Sequence, residues 1–128
     1  MEKLFIDATK YTPKIDFDPI ERKLEVRGKS YPENTFEFYE PILLWLKNYF
    51  SDSSKKIVTF NFEITYYNSS SSKVLYDLFD ILEEAVESGH QITINWYYDE
   101  ENETALEAGE DFQEDFETLD INLIEFNN

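Results

Sequence analysis

Hydrophobic and polar positions alternate most strictly from Val58 to Tyr66. There Val58, Phe60, Phe62, Ile64 and Tyr66 interleave with Thr59, Asn61, Glu63 and Thr65. A period of two held this long predicts a β-strand with one face buried and the other wet. Ile92, Ile94, Trp96 and Tyr98 repeat the pattern further on. Between them, Leu75, Leu78, Phe79, Leu82, Ala85 and Val86 recur at helical spacing, with Asp77, Asp80, Glu83, Glu84 and Glu87 mostly opposite. That stretch predicts an amphipathic helix from about Ser71 to Ser88, with Gly89 as its C′ stop. Strand, helix and strand on short links predict a βαβ unit with parallel strands and a right-handed crossover.

The flanks are weaker but legible. Leu4 and Ile6, Ile15 and Phe17, and Leu24 and Val26 read as short strands near a sheet edge, punctuated by Pro13 and Pro19, with Gly28 ending the third. Ser30-Tyr31-Pro32-Glu33 and Asn34-Thr35-Phe36-Glu37 both have capping-box spacing. Pro41 disrupts a helix interior, so a short turn and then a main run from Pro41 to Phe50 is expected. Ser51 to Ser54 reads as a loop, Glu101 to Phe116 as an acidic helix and Leu119 to Phe126 as a last strand. With no internal repeat and no long linker, residues 1–128 are expected to form one α/β domain. Its mixed β-sheet carries helices mainly on one face, and the other face meets water.

Composition changes this picture little. The 128 residues are 41% hydrophobic and 17% aromatic, enough for a folded core despite a mean hydropathy of −0.54. The absence of cysteine excludes disulfides and thiolate metal sites. No basic leader precedes an apolar run near the N-terminus, and no stretch approaches the ~20 apolar residues of a membrane helix. A soluble, cytoplasmic protein is expected.

Charge is more informative. All 11 basic residues and 11 of the acids lie in residues 1–73, and the 17 acids of residues 74–128 face no Lys or Arg in that segment. A net charge of −17 carried by the second part argues against nucleic acid or membrane as partner. It suits either solubility or docking onto a basic protein.

Catalytic chemistry finds little support. The single histidine, His90, sits beside Gly89 and reads as a solvated turn residue. The acids from Asp99 to Glu103 lack calcium-loop spacing and suit a helix start, so neither a metal nor a cofactor is expected. A serine nucleophile needs a base, but the helix that begins at the serines separates them from His90 by about 20 Å or more. Three glycines make no phosphate loop. No enzyme is expected.

The remaining feature is Asn68-Ser69-Ser70-Ser71-Ser72-Lys73, where the long strand hands over to the amphipathic helix. One reading is capping, since Asn and Ser side chains accept from orphan N–H groups at a gain of about 1 kcal/mol. The other is a phosphoacceptor. A phosphoryl group would place about −1.5 to −2 charge where the helix dipole and free N–H groups receive it, with Lys73 one turn along.

Four blocks resemble the SiaC family of bacterial regulatory phosphoproteins in order and spacing. They are Ser30-Tyr31-Pro32-Glu33-Asn34, Tyr67-Asn68-Ser69-Ser70, Asp80-Ile81-Leu82-Glu83-Glu84-Ala85 and Trp96-Tyr97-Tyr98-Asp99. The resemblance implies a domain with the logic of SpoIIAA or STAS-type antagonists. A histidine-kinase-like Ser/Thr kinase would phosphorylate it, a PP2C-type phosphatase would reverse this, and the unmodified form would bind an effector, a diguanylate cyclase, affecting biofilm. It also implies that Ser69 is the phosphoacceptor, at a position where the family has threonine. Asn68, Ser70, Ser71 and Lys73 would neighbour it, and Tyr31, Pro32, Glu33 and Asn34 would offer a partner contact. Two other readings stand beside this one: a constitutive acidic adaptor whose serines only cap, and a small-ligand pocket beside Asn68.

Overall fold

The computed structural model describes residues 1–127. Its elements run β1 (Leu4–Ile6), β2 (Lys14–Asp18), β3 (Lys23–Ser30), α1 (Thr35–Tyr49), β4 (Ile57–Tyr67), α2 (Ser69–Glu87), β5 (Gln91–Asp99), α3 (Glu103–Asp115) and β6 (Asp120–Phe126). The strands form one mixed sheet in the order β1-β2-β3-β4-β5-β6. β1, β2 and β3 meander antiparallel, whereas β3 to β6 are parallel neighbours joined through the three helices.

The alternation seen in the sequence becomes rows across this sheet. Phe17, Leu24, Phe60, Ile94 and Ile121 lie in register and buried, as do Ile15, Val26, Phe62 and Trp96. Each such side chain contributes roughly 1.5–3 kcal/mol by leaving water. Helices cover that face: Phe79 of α2 stacks on Phe112 of α3 at 4.2 Å, Phe79 also meets the Phe62 ring at 5.2 Å and Phe112 the Trp96 ring at 5.3 Å. The opposite row is polar. Asp16, Glu25, Asn61, Asn95 and Asn122 stand in register, and the Asn95 amide donates to Asn61 at 2.9 Å.

Four local expectations are corrected. First, α1 is one continuous helix with Pro41 inside it, started by Asn34 rather than by Ser30. The Asn34 carboxamide oxygen accepts from Glu37 N–H at 3.0 Å and its amide donates back to the Glu37 carboxylate at 3.2 Å. Pro41 is exposed, so the carbonyl it leaves unbonded, that of exposed Glu37, reaches water. Second, β3 continues through Gly28, whose φ of 129° suits glycine, to Ser30. Third, α2 starts two residues early, at Ser69, because Asn68 is the cap.

Fourth, Tyr66 does not continue the buried row. Gly28 pairs with Ile64 but Lys29 pairs with Tyr66, so Thr65 is an extra residue on β4. This bulge reverses the side-chain parity. Tyr66 therefore faces outward, 54% exposed, while Tyr67 turns in against Ser30. Asn102, the cap of α3, holds the bulge by donating to the Thr65 carbonyl at 3.1 Å. The C-terminal end of α2 follows expectation. Gly89 N–H bonds Val86 O at 3.0 Å and His90 N–H bonds Ala85 O at 3.1 Å, the paired bonds of a Schellman stop.

Candidate functional site

All three helices begin at the carboxyl ends of parallel strands, each capped by an asparagine: Asn34, Asn68 and Asn102. Asn68 continues the β3–β4 pairing through its N–H to Ser30 O at 3.1 Å. It then opens the helix, its carbonyl accepting from Ser72 N–H at 2.9 Å. Its side chain accepts from Ser71 N–H at 2.9 Å. The capping function that the sequence allowed the serines is thus held by Asn68.

The four serines that follow have four different environments. Ser71 is fully buried and its hydroxyl accepts from Ser30 at 2.8 Å. Having given its hydrogen to Ser71, Ser30 accepts in turn from the Tyr39 hydroxyl at 2.6 Å. Burial pushes the Tyr39 phenol up to about 12, so it stays a donor at neutral pH. This hydroxyl chain ties β3, α1 and α2 together and removes Ser71 from the surface contacts expected of it. Ser70 is exposed yet engaged, its hydroxyl 2.8 Å from Thr35 Oγ1 and 3.3 Å from Asn68 Oδ1. Ser72 is half-buried. Ser69 is exposed, and no hydrogen bond holds its hydroxyl among the described residues.

As the first residue of α2, Ser69 leaves its own N–H and that of Ser70 without intrahelical acceptors. No acid occupies the first turn. Lys73 is exposed and follows Ser69 by four residues, placing it on the same helix face. The arrangement offers a hydroxyl that is both exposed and unengaged beside unpaired donors, with a cation one turn away.

Tyr31 lies half-buried beside this turn. Its N–H bonds Tyr11 O at 2.8 Å, and its ring meets Tyr11 and Tyr66 edge-on at centroid distances of 5.3 and 5.5 Å. Pro32 is buried, whereas Glu33 and Asn34 are exposed. Thr9, Tyr11, Thr12, Tyr31, Pro32 and Glu33 line a hollow of about 620 Å³. A second hollow of about 380 Å³ lies between the bulge and the start of α3. Of these neighbours, Tyr11, Thr35, Tyr39 and Tyr66 were not singled out from sequence. For Tyr66 a signal existed: two adjacent tyrosines, Tyr66 and Tyr67, break the alternation just before the cap.

His90 lies at the far end of α2, as the spacing required, but it is a core residue rather than a solvated one. Only 3% exposed, it accepts at Nδ1 from Lys56 N–H at 3.0 Å and sits 3.2 Å from Phe50 O through Nε2. Burial lowers its pKa. Among the described residues no His, Asp and Glu side chains gather in threes to hold a metal, and no helix is long and apolar enough to cross a membrane.

A six-stranded mixed sheet covered by helices, with an unengaged serine where a strand meets a helix, defines a small α/β domain. The profile described as "SiaC family regulatory phosphoprotein" matches residues 6–126, and the chain belongs to that family. A protein of Pseudomonas aeruginosa strain UCBPP-PA14 is 35% identical over 115 residues, 90% of either chain. The crystal structure of apo-SiaC from P. aeruginosa superposes with a TM-score of 0.84 at 30% identity, covering 98% of both chains. SiaC crystallised as activator in complex with the diguanylate cyclase SiaD gives a TM-score of 0.90 at 32% identity, covering 96% of this chain and 99% of that one.

Proposed function

We propose that this chain is a non-catalytic switch: a kinase phosphorylates Ser69, a phosphatase reverses this, and only the unmodified form binds the effector. The observation that carries the proposal is the exposure of Ser69 at the first position of α2, with its hydroxyl unengaged while Asn68 already caps the helix. Kinase access needs no unfolding there. The Ser69 oxygen attacks the γ-phosphorus of ATP, the bond to the bridging oxygen breaks, ADP leaves, and the hydroxyl proton passes to the kinase's base. The new dianion meets the free N–H groups of Ser69 and Ser70 and the positive end of the helix dipole, so the fold tolerates it. A partner seated on the same turn would have to desolvate it, and loses the contact.

The likeness to SiaC bound to SiaD supports a diguanylate cyclase as effector. The family resemblance supports a histidine-kinase-like ATPase as kinase and a PP2C-type enzyme as phosphatase. Purified SiaD and GTP provide the test. Wild type and Ser69→Ala are expected to bind and raise cyclase activity, and Ser69→Glu to do neither. Equal behaviour of all three overturns the switch and favours the constitutive acidic adaptor, whose binding would instead fall steeply with salt.

A further inference from the structure

Next to the acceptor turn, the fold holds aromatic rings in water. Tyr11 is 51% exposed and Tyr66 54%, and Tyr31 fixes both rings through its two edge-on contacts. The Thr65 bulge spends a residue of sheet pairing to turn Tyr66 outward. Rings already fixed lose little entropy on binding, and aromatic anchors beside a hollow carry much of the energy of protein interfaces.

Charge around this strip is asymmetric. Lys10 Nζ lies 5.9 Å from the Tyr11 ring centroid, and Lys29 is the register partner of Tyr66. Lys3, Lys14, Arg27 and Lys56 are spent on ion pairs, whereas Lys10, Lys29 and Lys73 form none among the described residues. On the opposite border stand the acids Glu100, Glu101 and Glu103, next to Asn102 and its bond to Thr65. Glu33 stands on the rim of the larger hollow.

We infer that Tyr11, Tyr31 and Tyr66 form the docking strip for an effector segment that seats an apolar side chain in the hollow and turns carboxylates toward Lys10 and Lys29. The inference rests on the switch proposed above and gives that switch its sign. A basic segment would be drawn to a phosphate on Ser69 and bind the modified form better, whereas an acidic, apolar-anchored segment is repelled by it. The acids at the start of α3 and Glu33 leave such a segment's carboxylates only the lysine border to face.

Short random peptides displayed on phage, selected on the immobilised wild-type chain with soluble Tyr66→Ala as competitor, test this without a known effector. The expected winners combine Leu, Phe or Trp with Asp or Glu. They lose affinity about tenfold or more in Tyr66→Ala and Lys29→Glu, recover it in Tyr66→Phe, and shift the Tyr31 amide in heteronuclear NMR. Failure to enrich, enrichment of basic peptides, or binding indifferent to Tyr66 and Lys29 overturns the inference. Peptides that need Tyr66 but ignore Ser69→Glu would leave the docking strip standing and remove the switch. Peptides that ignore Tyr66, together with a cyclase response lost in Ser69→Glu, would do the reverse.

Discussion

The hydroxyls of Ser30 and Ser71, 41 residues apart in the chain, meet at 2.8 Å in the core. The bond joins the end of β3 to the first turn of α2, and the Tyr39 hydroxyl at 2.6 Å completes it from α1. Adjacent serines in the same run therefore have opposite duties: Ser71 holds the turn and Ser69 faces out from it.

The two serines are expected to separate in a stability measurement. Ser71→Ala leaves the Ser30 hydroxyl without its buried acceptor, at a cost of roughly 1–3 kcal/mol. Ser69→Ala removes an exposed, unengaged hydroxyl and should stay within about 0.5 kcal/mol of wild type. Urea midpoints at constant slope compare them directly.

His90 gives the fold a pH dependence with a definite direction. Its neutral Nδ1 accepts from Lys56 N–H, and burial holds its pKa below the ordinary 6.5. A group depressed in the folded state stabilises fully when neutral in both states. Its contribution is therefore present above about 6.5 and lost as pH falls from there through the folded value. Asp52, held at about 2 by its hydrogen bond to Lys56, titrates well below that window. Urea midpoints between pH 7.5 and 5 should fall for wild type and flatten in His90→Asn. The chain's single histidine makes its NMR titration unambiguous.

Gly109 is expected to resist the substitution that usually stabilises helices. Alanine would gain about 1 kcal/mol of helix propensity. A Cβ there would lie 2.7 Å from Trp96 Cδ1 and 2.6 Å from Leu123 Cδ2. The Leu123 methyl can swing aside, but the Trp96 indole is fully buried and donates to Ala105 O at 2.9 Å. Overpacking costs about 1–3 kcal/mol, so Gly109→Ala should lower the thermal midpoint.

Asn102 does two jobs that different substitutions separate. Asn102→Ala loses both the cap on Ala105 N–H and the bond to Thr65 O, at about 1–2 kcal/mol for the cap alone. Asn102→Asp keeps an acceptor for the helix but sets a carboxylate against the Thr65 carbonyl. It should cost less globally while speeding amide exchange at Tyr66 and Tyr67, which hydrogen-exchange NMR resolves.

Much of this architecture was legible in the chain because burial imposes a period on it. Phe60, Phe62 and Ile64 announce a one-sided strand, Leu75 to Val86 an amphipathic helix, and Gly89 its end. The serine junction was legible as a position, because Asn68 and the hydroxyls fall between two strong patterns. What escaped was set by contacts distant in sequence. His90 looks solvated beside Gly89 until Phe50 and the Lys56 backbone close over it. Ser71 differs from Ser69 only because Ser30 and Tyr39 arrive from elsewhere. Pro41 survives inside α1 because the carbonyl it orphans faces water, which local propensity does not register.

The extra residue at Thr65 has a reach beyond the sheet. It fixes how many steps separate Ile64 from the start of α2, and each step in a helix is a rotation of about 100°. Were it paired with Lys29 instead, Tyr66 would turn in beside Ser30 and Tyr67 outward, while the helix behind them would have to re-index to keep Leu75 and Phe79 on the core. Which serine the solvent meets is thus a matter of phase, and an insertion between Tyr66 and Asn68 should silence the proposed switch with every serine still in place.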